Sequence, residues 1–143
     1  MLVERSGFGP EFDRREYTMD VLRVLIQHEI DVVAMAGFMT IFSPEIFESH
    51  NKLYAGKILN THPSLLPSFK GEHAVKDALE YGVKLTGCTI HVATAQLDAG
   101  PILGQESVLV HPRDTVSSLH ERIKIAERAL YPIIIAEFLA GLK

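Results

Sequence analysis

Asn60 and His62 stand two residues apart in the run Ile58-Leu59-Asn60-Thr61-His62-Pro63. In an extended chain that spacing points both side chains the same way. An asparagine amide donates hydrogen bonds without changing charge, and a histidine donates, accepts or carries a proton near neutral pH. Asp98, on the separate turn Leu97-Asp98-Ala99-Gly100-Pro101, can orient that histidine and balance its charge when protonated. Hydrogen-bond donors beside a charge-balanced imidazole suit acyl transfer, because the attacked carbonyl oxygen becomes negative. The same residues also make ordinary turns at strand ends. Spacing alone leaves both readings open.

Other chemistries find less support. No serine sits in a Gly-x-Ser-x-Gly elbow, which argues against a Ser-His-Asp hydrolase. His28, His50, His62, His73, His91, His111 and His120 include no His-x-His or His-Glu-x-x-His pair, so no metal site is expected. His28, His50 and His120 read as solvated helix residues, and His91 and His111 as structural residues in or at the end of strands. Cys88 is the only cysteine. In Thr86-Gly87-Cys88-Thr89-Ile90-His91-Val92 it reads as a small core residue in a buried strand, not a nucleophile.

The elements that must position these residues alternate along the chain. Apolar residues at helical spacing predict a helix from about Phe12 to His28, and Asp31 to Ala36 reads as a short buried strand ending at Gly37. Ser43-Pro44-Glu45 has a capping residue before a proline, which starts a short helix. Lys57 to Asn60 is a second strand, followed by a long loop from Thr61 to Gly71; long loops in compact domains are often functional. A helix from Glu72 to Tyr81 closes at Gly82. Strands at Thr86 to Thr94 and Ile102 to Val110 flank the Asp98 turn. Asp114 or Thr115 then caps a long final helix, with a bend expected at Pro132. Alternating helix and strand, then two strands close together, predict an α/β fold. Its sheet should be mostly parallel and twisted, mixed near its end, with helices on both faces. Ligands in such folds sit beyond the carboxyl ends of the strands, where Gly37-Phe38-Met39, Asn60-Thr61-His62 and the Asp98 turn all fall.

Composition sets the outer limits. The 143 residues, 47% hydrophobic, fit a single domain over 1–143 with a real core. A net charge of −4 argues against a general nucleic-acid or anionic-membrane surface, although local donors still bind a small anion. No stretch is long enough to span a bilayer and no leader is visible, so a soluble cytoplasmic protein is expected; a single cysteine suits that reducing compartment.

The run Ile58-Leu59-Asn60-Thr61-His62-Pro63-Ser64-Leu65-Leu66-Pro67-Ser68-Phe69-Lys70-Gly71 closely resembles the signature loop of the phosphoribosylglycinamide formyltransferases, members of the 10-formyltetrahydrofolate-dependent formyltransferases. Ala36-Gly37-Phe38-Met39, Thr86 to Val92, Leu97 to Pro101 and Ala126-Glu127-Arg128-Ala129-Leu130-Tyr131-Pro132 resemble the family's other segments, in order, over nearly the whole chain. The resemblance implies a Rossmann-like formyltransferase fold. It implies formyl transfer from 10-formyltetrahydrofolate, as co-substrate, to the amine of glycinamide ribonucleotide in purine biosynthesis. Asn60, His62 and Asp98 are then the catalytic trio. Met39, Thr40, Ile41 and Phe42, with Ala93, Thr94, Ala95, Gln96 and Leu97, would form the folate pocket. Arg14, Met39, Pro63 and Glu127 would meet the substrate, and His73 resembles a site-lining residue of some members.

Two departures bear on that expectation. The family usually carries a basic residue where this chain has Thr40. It also begins with a strand and a Gly/Ser-rich phosphate loop, and Gly7-Phe8-Gly9-Pro10 does not match one. The expectation is therefore an N-terminally shortened domain, with an apolar edge left open for self-association. Two other functions compete: a formyltetrahydrofolate deformylase, and a folate-binding fragment without activity. The deformylases carry a second histidine where Pro63 stands, which favours the transferase. The methionyl-tRNA formyltransferases share Ser-Leu-Leu-Pro but continue Arg-Gly-x-x-Pro, which is absent here.

Overall fold

Residues 2–5, 7, 9–48 and 54–142 are described by the structure, a computed structural model; His50 lies outside them. Asp13 begins the first helix by accepting the Glu16 amide at 2.9 Å. The elements that follow are α1 (Arg14–Gln27), β1 (Val33–Met35), α2 (Glu45–Glu48), β2 (Ile58–His62), α3 (Ala74–Tyr81), β3 (Leu85–Val92), β4 (Ile102–Leu109) and α4 (Val116–Gly141). Gly82 ends α3 in the left-handed region at φ 83°, where glycine alone is unstrained. Thr115, not Asp114, caps α4, in a reciprocal box with Ser118. Asp114 buttresses that box: it accepts from Ser118 and Arg122, and the Arg122 guanidinium holds its carboxyl well below the usual range.

The sheet order is β1-β2-β3-β4. Only β1–β2 is parallel; β2–β3 and β3–β4 are antiparallel, so the mixed sheet has less parallel pairing than expected among the described residues. The expected strand over 31–36 shortens to three residues, and the strand expected over 57–60 runs on to His62. Its extension has a plain cause: Thr61 and His62 pair with Ile90 and Thr89 of β3. Helix α4 runs unbroken through Pro132.

Alternation along β2 sends neighbours to opposite faces. Ile58 packs with Leu22 of α1, with Ile46 of α2 and with Phe42, which precedes α2. Leu59 packs with Ile90, Val92 and the α4 residues Tyr131 and Ile134. Helices therefore cover both faces. The Tyr131 hydroxyl also reaches the carbonyls of Met35 and Leu59, at 3.1 and 3.0 Å, tying α4 to both parallel strands. At Gly104 an added Cβ would come within 2.7 Å of Ile134 Cδ1, so helix and strand pack backbone-close there. Asn60 and His62 share the Ile58 face. Past Ile58 that face is covered by the loop 63–71, whose Leu65 lies over Gly87.

Candidate active site

Because β2 continues through His62, period-two alternation puts Asn60 and His62 on one face, opposite His91 and Thr89 of β3 in register. Asp98 arrives from the turn after β3. Its backbone is left-handed at φ 48°, a region aspartate tolerates better than most residues, and this turns its carboxylate inward. Gly100 supports the same turn, since a Cβ there would lie 1.8 Å from the Val92 carbonyl oxygen.

The trio meets in a buried cluster. His62 Nδ1 lies 3.4 Å from Asp98 Oδ2, and both side chains are nearly inaccessible. Asp98 Oδ2 also accepts the Gly71 amide at 2.9 Å. His62 Nε2 lies 2.8 Å from the Phe69 carbonyl oxygen. That oxygen can only accept, so Nε2 carries a hydrogen. Phe69 is left-handed at φ 52°, an outlier for so bulky a residue, at the position whose carbonyl meets His62.

His91, expected to be structural, joins the site. Its Nε2 lies 3.4 Å from Asn60 Nδ2 and 3.7 Å from Asp98 Oδ1. Burial pushes its pKa below the ordinary value, against the opposing pull of the Val92 carbonyl and Asp98. Nδ1 faces the Val92 carbonyl at 3.1 Å and must hold the hydrogen. Nε2 is then bare, and the Asn60 amide nitrogen is the atom that donates to it. The orientation of Asn60 is thereby fixed, with one N–H of its amide on His91 Nε2. The signal for His91 was present in the sequence: Cys88, Ile90 and Val92 are the apolar face of β3, which leaves Thr89 and His91 as polar residues on the other.

An open cleft lies against this cluster. Asn60, His91 and Asp98 form its polar end, while Thr40, Ile41, Phe42, Ala93, Thr94, Ala95 and Leu97 line its apolar walls with Met35, Phe38 and Phe47. His62 is not among the lining residues; it sits behind Asp98. Gln96 and Pro63 are also outside the lining, as is Met39, which is 76% exposed. Arg14 lies at the exposed start of α1, and Glu127 sits half-buried on α4, across the sheet from Asn60; neither lines the cleft. His73 stands exposed at the start of α3, beside Glu72 at 3.2 Å. Where the basic residue is replaced by Thr40, a cation arrives from elsewhere: Arg5 Nη1 donates to Thr40 Oγ1 at 2.8 Å.

Cys88 is fully buried on the α4 side, and burial raises its thiol pKa to about 11, which suits a core residue. No cluster of metal-ligating side chains occurs among the described residues, and no helix among them is long and apolar enough to cross a membrane.

Comparison with known proteins matches this chain over residues 2–135 to the formyl transferase family model. A phosphoribosylglycinamide formyltransferase of Mycobacterium tuberculosis is 50% identical over 109 residues, which are 76% of this chain and 49% of that protein. A glycinamide ribonucleotide transformylase structure from Symbiobacterium toebii superimposes with a TM-score of 0.82 at 39% identity, over 87% of this chain and 57% of the other. A formyltetrahydrofolate deformylase structure from Pseudomonas syringae pv. tomato gives 0.78 at 34% identity, over 86% and 40%. The chain spans about half the length of the curated relative it matches.

Proposed function

The chain belongs to the formyl transferase family, and on that premise we propose that it transfers a formyl group from 10-formyltetrahydrofolate to the amine of glycinamide ribonucleotide in the cytoplasm. The observation that carries this reading is the polar end of the cleft. There a donor, Asn60 Nδ2, and an acceptor, Asp98 Oδ1, both lie within 3.7 Å of His91 Nε2. Formyl transfer needs both. The amine nitrogen attacks the formyl carbon, the carbonyl oxygen becomes negative, and the nitrogen must then lose a proton.

In this mechanism the other N–H of Asn60 holds the oxyanion. Asp98 accepts the proton of the attacking amine, directly or through water, and returns it to the departing folate nitrogen. No covalent intermediate with the protein forms. Bringing amine and formyl carbon together in one cleft supplies much of the rate. In the resting geometry His62 serves Asp98; to reach the oxyanion it must give up the Phe69 carbonyl. Phe42, Ile41, Leu97 and the backbone around Ala93 to Ala95 take the flat folate ring, which apolar walls favour. The partners are small molecules, and the net charge of −4 speaks against nucleic acid.

The test is an assay with 10-formyl-5,8-dideazafolate and glycinamide ribonucleotide, with His62→Ala alongside. Turnover that needs the ribonucleotide and weakens with the variant is the expected result. Loss of the formyl group without the ribonucleotide would replace the transferase with a deformylase. Folate binding without any turnover would leave a binding protein and end the catalytic reading.

A further inference from the structure

The His62–Asp98 pair is gripped by one loop at two points: the Phe69 carbonyl on His62 Nε2 and the Gly71 amide on Asp98 Oδ2. One buried hydroxyl on the neighbouring strand sits at the centre of the bonds that hold the loop. Thr89 is fully buried and pairs with His62 in the β2–β3 register. Its Oγ1 donates to the Ser64 carbonyl at 2.7 Å and accepts from the Leu66 amide at 3.0 Å and Gln105 Nε2 at 2.9 Å. A hydroxyl has one hydrogen and two lone pairs, and here all three are used. Gln105 Nε2 also reaches the Leu66 carbonyl at 3.0 Å, so both backbone polar atoms of Leu66 are held. Ser64 Oγ carries the constraint onward to the Ser68 and Phe69 carbonyls.

We propose that Thr89 is a positioning residue for the His62–Asp98 pair, acting with Gln105 through the loop from Ser64 to Gly71; the inference rests on the formyl-transfer reading above. Without the hydroxyl, the Leu66 amide and the Ser64 carbonyl lose their buried partner. The loop then settles elsewhere to satisfy them. The carbonyl of Phe69 and the amide of Gly71 move with it, and the imidazole and carboxylate lose their shared frame. A threonine that only filled space would be replaced by valine, its isostere in shape, with no effect on the pair.

The experiment compares Thr89→Val, Thr89→Ser and Gln105→Ala in the full chain. In Thr89→Val kcat should fall at least about tenfold, in line with the sensitivity of reaction rates to small misplacements. The Kd for 5,8-dideazafolate, by calorimetry, should stay within about twofold, because the apolar walls are untouched. Thr89→Ser keeps the hydroxyl and should restore most of the kcat, and Gln105→Ala should show a weaker form of the same split. Nitrogen-edited NMR gives a readout independent of turnover: the His62 Nε2–H signal, protected by the Phe69 carbonyl, should persist in Thr89→Ser and vanish in Thr89→Val. A folded Thr89→Val with unchanged kcat and an intact signal would overturn the proposal. If Thr89→Val does not fold, an intact signal with unchanged kcat in Gln105→Ala would overturn it instead. If the unaltered chain shows no turnover, the formyl-transfer reading fails alone, and the His62 signal still decides this one.

Discussion

Behind the cleft, from Asn60 through the loop to Gly71, polar side chains are tied into a continuous network of buried and half-buried hydrogen bonds. Along its rim, from Phe38 to Ile41 and from Thr94 to Leu97, side chains are at least partly open to solvent; Ile41 and Leu97 are about half exposed, and Phe42 next to them is buried. The rim's side-chain hydrogen bonds, among the described residues, are those of Thr94 to Gln96 and Arg5 to Thr40. The difference follows from what each region must do. A group that moves protons must be held within a fraction of an ångström of its partner, which takes directional bonds and excluded water. A surface that recognises a flat ring needs area and some freedom to adjust. Substitutions behind the cleft should therefore change kcat by large factors, and substitutions on the rim should change KM by small ones.

The largest effect is expected at Asp98. Asp98→Asn keeps an acceptor for the Gly71 amide and nearly the same volume, so the loop should stay in place. It removes the charge beside His62 and the basic oxygen that takes the amine proton. General acid–base catalysis contributes about 10²–10⁴-fold, so kcat should fall by about 10³ while folate affinity by calorimetry changes little. Near-normal turnover would remove Asp98 from the mechanism, and an equal loss of folate binding would erase the distinction between the two regions.

His91 gives the intermediate case, and it ties activity to stability. His91→Gln keeps a polar side chain near Asn60 but loses the ring that fixes the amide's orientation. About tenfold in kcat is expected from misaiming one oxyanion donor, less than its outright removal. The stability consequence has a definite sign. Burial keeps folded His91 neutral below its ordinary value of 6.5, opposed by nearby Asp98 and reinforced by His62. Below 6.5 the unfolded chain binds that proton more readily than the folded one. The His91 share of stability is therefore whole above 6.5 and is lost as pH falls from there toward the depressed folded value. Urea midpoints measured across this window should fall with acid, and His91→Gln should flatten the fall. An unchanged slope would mean that His91 is not held neutral.

The same contrast explains what the sequence made legible. Asn60, His62 and Asp98 were visible because their residue types are chemical and their segments match a family loop. The helices were visible because periodicity and caps are local: Gly82 and Thr115 each act within four residues. What escaped notice depends on pairing across the chain. The end of β2 looked like loop because Thr61 and His62 are strand only by virtue of Ile90 and Thr89, roughly thirty residues away in sequence. His91 looked structural because a histidine in an apolar strand usually is; alternation marks it as a polar residue on its face, and the pairing with Asn60 shows what that face carries. The Thr89–Gln105 anchor of the loop was hidden for the same reason, since neither residue is unusual until β4 and the loop are brought together.

The smallest effect is expected on the rim, where it is also most diagnostic. Leu97 is adjacent to Asp98, yet its side chain is half exposed and belongs to the apolar wall. Leu97→Ala removes three carbons that a bound ring would cover only in part. Full burial of a leucine side chain is worth about 1.5–3 kcal/mol, and a half-exposed one a fraction of that, so KM for the folate should rise only several-fold. The backbone of the Asp98 turn is held by other means: the left-handed Asp98, the close approach of Gly100, and the Val92 amide bonded to the Pro101 carbonyl at 2.9 Å. For that reason kcat should stay within about twofold, well short of the 10²–10⁴-fold scale of lost acid–base catalysis. Steady-state kinetics with 10-formyl-5,8-dideazafolate separates the two constants. A large drop in kcat from Leu97→Ala would show that the wall also carries the geometry of the chemistry, and the division between a fixed back and an adaptable rim would have to be given up where the two regions adjoin in the chain.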